Sequence, residues 1–406
     1  MARRILFIVP ADYDSLKKKG VADMILERDE NGFFEKVITV HPFVKKSKVI
    51  RLNNIHTIYE IGYDLPGSNF LTKILTRLLL PAHTLKLLFI IRRIIKTEQI
   101  NIIRSTDPFF CGVLALITSR VSRIPYCISI HADYSKLYEL AGIKNIHGIS
   151  LPPKLIYFIT KLVLSKASLV MPIRESLVSW AVNSGADEKK VFTIPHGIDF
   201  LALEKGNDID IFDAFKIPKN KKIISFVGRL SKENYVYDII EVVKKVSRKR
   251  NNFVLLMAGD GAEKENLKNI IKNDRILCNN IKILDFQPRD ICYRLRKASA
   301  VSLCLMGGFS LIEACAAASP VISYDVEWHY ELIKDGVTGF LISEGNIEKV
   351  AEKIIFLFNN PEIARDVGKA AYQLVYEKHS LAQTSLVKKK IYSELLHKEV
   401  SYGQFV

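Results

Sequence analysis

The sequence predicts an α/β protein built on two open parallel sheets. Short apolar runs alternate with helical patterns through most of the chain, which is typical of parallel strands joined by crossover helices. The chain has 406 residues, more than one hydrophobic core usually serves. A polar segment interrupts the alternation near the middle, so we expect one domain on each side of it.

The first half contains six strand candidates, each a short apolar run. They are residues 4–9, 36–40, 101–104, 126–130, 169–171 and 191–194. The segment 206–220 then breaks the pattern with turn-forming residues such as Gly206 and Pro218, and we interpret it as an interdomain linker. The first domain is therefore assigned to residues 1–205.

The second half repeats the alternation over residues 221–379, which we assign to the second domain. Its strand candidates are residues 222–227, 253–257, 281–284, 300–303 and 320–323. From residue 347 onward the pattern is helical, and Ser380 is a candidate cap for a last helix over residues 380–406.

The formal net charge of +16 indicates an acidic partner, which could be nucleic acid, an anionic membrane surface or a phosphorylated substrate. Charge alone does not choose among these. The sequence has no recognised motif for DNA or RNA and no repeat of aromatic and basic residues that would stack bases. Nucleic acid is therefore not the expected partner.

Neither a signal peptide nor a membrane-spanning helix is expected. The apolar run at residues 5–10 is too short for a signal peptide and is interpreted as a first buried strand. The apolar run at residues 71–95 is interrupted by charges such as Arg77 and Lys86. The six cysteines form no CxxC pair and are interpreted as reduced core residues of a cytoplasmic protein.

Ligands of open α/β sheets bind beyond the carboxyl ends of the strands, and two candidate motifs follow strands there. After strand 222–227, Gly228 allows close backbone approach, while Arg229 and Lys232 can bind a phosphate. After strand 253–257, Gly259 serves either a ligand or a tight turn capped by Asp260.

A third motif places Gly308 at the start of a helix rich in small residues. Free N–H groups at Phe309, Ser310 and Leu311, together with the helix dipole, would attract a diphosphate. Glu313 could accept hydrogen bonds from ribose hydroxyls. The alternative is that this helix only packs on its sheet, with Glu313 facing solvent.

Two further features are less specific. The cluster at residues 324–331, rich in aromatic and acidic side chains, either lines a sugar pocket or packs against the domain. His131 follows strand 126–130 at the ligand-binding edge of the first sheet, although a lone histidine is usually structural.

Several common enzyme classes lose their main support. The sequence has no GxxxxGK[ST] phosphate loop, no HExxH, no GxSxG and no GxGxxG after the first strand. Asp208 and Asp210 lie in the predicted linker and are interpreted as solvated acids. No metal site is expected.

Taken in order, the motifs resemble those of the GT-B glycosyltransferases of family 4, also called group 1 glycosyltransferases. The matching stretches are residues 227–233, 258–261, 308–314 with 319–322, and 335–340. The resemblance implies GT-B architecture: two Rossmann-like domains facing a cleft, with a C-terminal helix that crosses back to the first domain. It also implies that the second domain holds a nucleoside-diphosphate sugar such as a UDP- or GDP-sugar.

Individual residues match the family's site. Arg229 matches its diphosphate-binding Arg, Glu313 matches the second Glu of its E-x7-E motif, which binds ribose, and His131 matches a His near the transferred sugar. The chain departs from the family at the first Glu of that motif, at the phosphate-binding Lys and the Gly after it, and at the Gly-Gly loop after the first strand. Those positions are occupied by Leu305, Asn234, Tyr235 and residues 12–20.

The resemblance implies retaining transfer of a sugar to an acceptor hydroxyl in polysaccharide, lipopolysaccharide or glycolipid assembly, with no metal and no cofactor besides the nucleotide sugar. The basic, apolar stretches 73–96 and 154–166 suit either peripheral contact with the inner face of an anionic membrane and a lipid-linked acceptor, or ordinary crossover helices. The alternative function is a non-catalytic protein on a degenerate transferase fold that binds membrane or nucleic acid, which the departures at Leu305 and Asn234 support.

Overall fold

The computed structural model describes residues 2–18, 23–63, 70–135, 152–205 and 209–402. The described chain forms two compact units. The second unit is His196–Thr384, and the first contains the chain before and after it.

The strands of the described residues form two sheets. In the first unit they are β1 Arg4–Ile8, β2 Lys36–Val44, β3 Lys48–Arg51, β4 His56–Gly62, β5 Ile102–Ser105, β6 Tyr126–Ile130 and β7 Leu169–Pro172. In the second unit they are β8 Lys222–Val227, β9 Phe253–Ala258, β10 Ile281–Ile283, β11 Val301–Leu303, β12 Val321–Tyr324 and β13 Phe340–Ile342.

The α-helices follow the strands as crossover connections. Those up to the end of the predicted first domain are α1 Tyr13–Lys18, α2 Phe70–Thr97, α3 Phe110–Ser122, α4 Pro153–Lys166, α5 Ser176–Asn183 and α6 Phe200–Lys205. The remainder are α7 Ile211–Ala214, α8 Val236–Ser247, α9 Lys264–Lys272, α10 Arg275–Asn280, α11 Arg289–Lys297, α12 Phe309–Ala316, α13 His329–Leu332, α14 Ile347–Asn359, α15 Pro361–His379 and α16 Leu381–Tyr402.

The first sheet has the order β3-β4-β2-β1-β5-β6-β7, and only the β3–β4 pair is antiparallel. Helices α2, α3 and α4 bury apolar side chains on one face of it, including Ile91, Leu114 and Val163. On the other face, α16 buries Tyr392, whose hydroxyl accepts a hydrogen bond of 2.7 Å from Arg104 Nη1. The last helix therefore belongs to the first unit from Ser385 onward, which confirms the predicted return of the chain.

The second sheet has the order β10-β9-β8-β11-β12-β13, and every neighbouring pair is parallel. Its β8, β9 and β11 strands contribute Phe226, Leu255 and Leu303 to a core that α8 and α14 cover. With the family comparison below, these two sheets confirm the predicted GT-B α/β fold.

The predicted strands are confirmed with one exception, and β2 continues to Val44. Residues 191–194 run as extended backbone beside β7, where Ile194 N donates to Pro172 O at 2.8 Å, but they do not form a regular strand. The sequence prediction missed β3, β4 and β13. β4 carries the polar side chains of His56, Thr57 and Glu60, all buried, which hides its apolar pattern.

The unit boundary lies earlier than the predicted end at residue 205. Ile198 exchanges backbone hydrogen bonds with His379 and Leu381, and Phe200 and Leu203 are buried in the second unit's core. The described part of the predicted linker, residues 209–220, also packs into the second unit, because Ile211 and Ile217 are buried there. This assignment as a linker was wrong.

In the described residues, no helix combines the length and the apolar character needed to cross a bilayer. Five of the six cysteines are buried, and burial raises the pKa of the Cys292 and Cys304 thiols to about 11. Cys278 is exposed and is not a core residue.

Gly368 provides a test of the packing between α15 and the segment after α12. A Cβ atom at this position would lie 2.1 Å from the carbonyl oxygen of Ala318. Helix propensity alone predicts that Gly368→Ala stabilises the protein by about 1 kcal/mol, whereas the clash predicts a loss of about 1–3 kcal/mol. We expect the loss in urea unfolding and no comparable change for the exposed neighbour in Lys369→Ala. A stabilised Gly368→Ala variant would contradict this packing.

Candidate functional site

The predicted donor motifs lie at the point in the second sheet where the order of the strands reverses. From β8 the chain continues to β9 on one side, and β11 lies on the other side of β8. Such a switch point opens a crevice beyond the carboxyl ends of the strands. The loops after β8, β9 and β11 all leave from this edge.

The loops after β8 and β9 are held together by their backbones. Gly228 N donates to Ala258 O at 3.0 Å, and Leu230 N donates to Asp260 O at 3.0 Å. A Cβ atom at Gly259 would lie 1.8 Å from Gly228 O, and one at Gly261 would lie 2.3 Å from Leu230 O. Both glycines are therefore required by loop packing, and a role of Gly259 in donor binding stays a prediction.

Arg229 and Lys232 project from the loop after β8 into solvent. Both side chains are exposed, and neither forms an ion pair within the part of the chain that the structure describes. Asn234, which stands at the family's Lys position, donates from Nδ2 to Arg229 O at 2.7 Å. Asn234 therefore stabilises the loop and does not supply the positive charge of the family's Lys. The cations of this loop are Arg229 and Lys232.

Tyr235 stands where the family has glycine, and its φ of 54° is in the left-handed region that glycine favours. Its hydroxyl donates to Glu344 Oε1, and its ring meets that of Tyr324 edge-on at a centroid distance of 5.0 Å. These contacts stabilise a backbone conformation that costs a tyrosine more than a glycine.

Gly308 is the N-cap residue of α12 and provides no side-chain cap. The N–H groups of Phe309 and Ser310 have no hydrogen-bond acceptor among the described residues. Leu311 is different, because its N–H donates to Gly308 O at 3.2 Å and its side chain is buried. The expectation of a free N–H at Leu311 was therefore wrong, and two such groups remain.

Glu313 is paired on both carboxylate oxygens. Oε1 accepts from Arg289 Nε and Oε2 accepts from Arg296 Nη1, each at 2.9 Å. Arg296 also donates to Ser310 Oγ at 2.7 Å, and Ser310 Oγ donates to the carbonyl oxygen of Val227 at the end of β8. We call Arg289, Arg296, Ser310 and Glu313 the Glu313 network.

The Glu313 network excludes the alternative in which Glu313 faces solvent. Its side chain is only 13% exposed, so it does not face solvent as the structural alternative supposed. Its oxygens are the partners of two cations, and Arg296 is 2% exposed. Ribose binding by Glu313 stays a prediction. The ribose hydroxyls would donate to lone pairs of the carboxylate oxygens that the two arginines leave free.

Sequence reasoning missed Arg289 and Arg296. Arg289 lies 5.3 Å from the centroid of the Phe309 ring, and its buried Nη2 has no hydrogen-bond partner in the described structure. Its position soon after β10, at the ligand-binding edge, was the available signal. Arg296 lies near the end of α11, almost the whole helix after the loop that follows β10. A search limited to residues just after strands therefore does not find it.

Buried side chains hold the loop between β11 and α12 in place. Leu305, in place of the family's first Glu, is fully buried in the core. His329 Nε2 lies 3.1 Å from the backbone nitrogen of Gly307, while its Nδ1 lies 2.6 Å from Ser323 Oγ. In the cluster at residues 324–331, His329, Trp328 and Tyr324 are buried and pack within the second unit. Tyr330 is 47% exposed, so both interpretations of the cluster stay open.

His131 belongs to the first unit, whereas the nine other predicted site residues belong to the second. It follows β6 and is half-buried, and its backbone nitrogen lies 3.5 Å from the Tyr134 hydroxyl. The segment that replaces the family's Gly-Gly loop, residues 12–20, is described only as far as residue 18.

A cavity of about 600 Å³ lies in the first unit beside Asp133. Helices α4 and α5 form it with hydroxyl and amide groups and two aromatic rings. Thr160 is one of the lining residues, but its hydroxyl oxygen is buried and has no hydrogen-bond partner in the described residues. The lining side chains include Tyr157, Thr160, Ser176, Ser179, Trp180 and Asn183.

Two family models match the chain. Residues 207–374 match the glycosyl transferases group 1, and residues 65–200 match glycosyltransferase family 4.

Curated relatives and solved structures agree with these matches. A poly(ribitol-phosphate) alpha-N-acetylglucosaminyltransferase of Staphylococcus aureus is 27% identical over 48% of this chain and 38% of its own length. A capsular polysaccharide biosynthesis glycosyltransferase of the same species is 25% identical over 60% of this chain and 66% of its own. The chain thus spans less than two thirds of either relative. An Anabaena protein solved with UDP superposes with a TM-score of 0.71 at 15% identity, covering 96% of this chain and all of that one.

The Glu313 network predicts a large structural effect of Glu313→Ala. Removal of the carboxylate leaves Arg296 as an uncompensated buried charge, which costs about 3–5 kcal/mol. We expect a loss of that size in urea unfolding. The control is Glu265→Ala, which removes an exposed glutamate paired with Lys268 and should leave the unfolding midpoint unchanged. Equal stability of the two variants would contradict the network.

The strand-end motifs, the two parallel sheets and the family matches lead to one assignment. Residues 65–200 and 207–374 are each recognised by a glycosyltransferase family model, in the order in which the two units occur. The chain belongs to the group 1 glycosyltransferases and has the GT-B fold.

Proposed function

We propose that this protein transfers a sugar from a nucleoside-diphosphate sugar to an acceptor hydroxyl, with retention of the anomeric configuration. The observation that carries the proposal is the set of unpaired donors at the switch point of the second sheet. Arg229 and Lys232 lie on the loop after β8, and the N–H groups of Phe309 and Ser310 lie at the start of α12. Ser310 Oγ joins these two elements through its bond to Val227 O.

These groups suit a diphosphate. A helix N-terminus attracts anions through its free N–H groups and its dipole, and an arginine can bind two phosphate oxygens at once. The solved Anabaena relative binds UDP, and we propose a nucleotide of this class for the present chain. Because the protein's own cations and N–H groups would neutralise the diphosphate, the proposed reaction requires no metal and no further cofactor.

In the proposed reaction, the bond between the anomeric carbon and the diphosphate oxygen breaks, and a bond to the acceptor oxygen forms on the same face. The acceptor proton leaves with the departing diphosphate. The protein lowers the barrier mainly by stabilising the charge that grows on that diphosphate, and each preorganised donor of this kind is worth about 3 kcal/mol in other enzymes. Arg229, Lys232 and the two N–H groups have this role, with His131 proposed near the transferred sugar.

The Glu313 network positions these groups. Its contacts hold the start of α12 against the end of β8, and Arg289 covers the Phe309 ring. Glu313 is proposed to accept hydrogen bonds from ribose hydroxyls while it stays paired with the two arginines. Leu305 supplies no polar atom for the sugar, so we expect other groups to recognise its hydroxyls.

The proposed acceptor is a saccharide or a lipid-linked saccharide. The two curated relatives act, by their names, on a poly(ribitol-phosphate) and in capsular polysaccharide biosynthesis. The cavity between α4 and α5 supports this class, because Trp180 and Tyr157 supply aromatic rings to its lining and Asn183 supplies an amide group. Location in the cytoplasm, at the inner face of a membrane, stays part of the proposal.

Titration calorimetry with UDP, GDP and ADP tests the donor site. We expect one nucleotide to bind selectively to the wild type, and Arg229→Ala to weaken this binding by at least about tenfold, because a charge-assisted phosphate contact contributes about 1.5–3 kcal/mol. The matched control is Arg248→Ala, which removes an exposed arginine at the end of α8, away from the strand-end loops.

The outcomes separate the candidate functions. Selective binding that Arg229→Ala weakens and Arg248→Ala leaves intact supports the donor site. If no nucleotide binds the folded protein, the departures at Leu305 and Asn234 have disabled the site and the non-catalytic alternative is favoured.

A further inference from the structure

The three helices on one face of the first sheet form a continuous layer. Helix α3 packs against both α2 and α4. All three bury one side in the same core, through residues such as Leu87, Leu114 and Ile156. Their opposite sides together form an outer face, which we call the α2–α4 face.

The α2–α4 face exposes large apolar side chains. Phe89 is 70% exposed, Leu85 is 68% exposed and Phe158 is 62% exposed. Val121 of α3 and Leu162 of α4 are also exposed. Leu85 and Phe89 are one helical turn apart on α2, as are Phe158 and Leu162 on α4, so each pair forms a ridge along its helix. Exposed apolar residues clustered in this way mark an interaction surface.

The charge of the same helices has a single sign. Helices α2, α3 and α4 contain ten Lys and Arg residues and no Asp or Glu. Arg92, Arg93 and Lys161 are exposed on the face. The next acidic residue after α2, Glu98, pairs with Lys36.

Crossover helices of the second unit are built differently. Helix α8 carries Asp238 and Glu241 together with two lysines, and α14 alternates glutamates with lysines. Ordinary solvated crossover helices in this chain therefore mix both signs, and the α2–α4 face does not follow that pattern.

We propose that the α2–α4 face docks on an anionic lipid bilayer. The aromatic and aliphatic ridges would enter the boundary between headgroups and acyl chains, as the apolar side of an interfacial helix does. The basic side chains would lie at the headgroup phosphates, with their aliphatic stems along the apolar surface. Each Lys or Arg near an anionic surface strengthens binding by about fivefold. This docking goes beyond the proposed transfer reaction and does not depend on it.

Vesicle sedimentation of the full chain tests the docking. The probes are vesicles of equimolar phosphatidylcholine and phosphatidylglycerol, and vesicles of phosphatidylcholine alone. We expect the wild type to bind the anionic vesicles at least about tenfold more tightly than the neutral ones. Raised salt should weaken the binding.

Two variants divide the apolar and charged contributions. The first is Phe89→Ser with Phe158→Ser, and the second is Arg92→Gln, Arg93→Gln and Lys161→Gln. Each should lose at least about tenfold in vesicle affinity while its circular dichroism spectrum is unchanged, because the substituted side chains are exposed. The control is Phe286→Ser, which removes a phenylalanine of the second unit that is 59% exposed and should bind vesicles as the wild type does.

The docking would be overturned if the wild type did not bind anionic vesicles, or if neither variant weakened that binding. It would also be overturned if the protein bound a double-stranded DNA oligomer more tightly than vesicles and the triple variant lost that DNA binding. The last result would make the face a nucleic-acid surface. Nucleotide calorimetry reports on the second unit independently. Failure of docking with nucleotide binding intact leaves the proposed transfer reaction standing, and the reverse result leaves the docking standing.

Discussion

The strand-end surface of the second unit depends on the pairing of one buried arginine with one glutamate. Arg296 comes from α11, and Glu313 and Ser310 come from α12. Ser310 then reaches the last carbonyl of β8. A charge as deeply buried as Arg296 is stable only with its partner in place. Therefore the start of α12 has one position relative to β8, and the donor groups of both elements share it.

Backbone contact has the same effect on the neighbouring loops. Gly259 and Gly261 let the loop after β9 approach the loop after β8 more closely than any side chain would allow. Asn234 then ties its own loop to the carbonyl of Arg229. With the backbone satisfied in this way, the side chains of Arg229 and Lys232 are left in solvent, where a phosphate can reach them. The residues that shape the surface are thus different from those proposed to bind the ligand.

The strands and the strand-end motifs could be predicted because their signals are local. An apolar run followed by glycine and a charged residue is visible in Val227-Gly228-Arg229 without any tertiary knowledge. The Glu313 network could not be predicted, since it joins Arg289 and Arg296 to a residue in a different motif. The left-handed φ of Tyr235 is indicated only by the family's glycine at that position, because the tyrosine and its sequence neighbours carry no sign of it. β4 was missed because its buried positions include His56 and Glu60, which pattern rules assign to the surface.

Hydrogen exchange of the full chain with and without saturating UDP tests the position of the donor site, because it reports where a nucleotide acts without altering any residue. We expect slower amide exchange in residues 228–235 and 307–313, with α3 unchanged. Phe309 and Ser310 should show the clearest change, since their N–H groups have no acceptor among the described residues before the nucleotide binds. Nucleotide binding proven by calorimetry, but with protection confined to other segments, would contradict the placement of the donor site at this switch point.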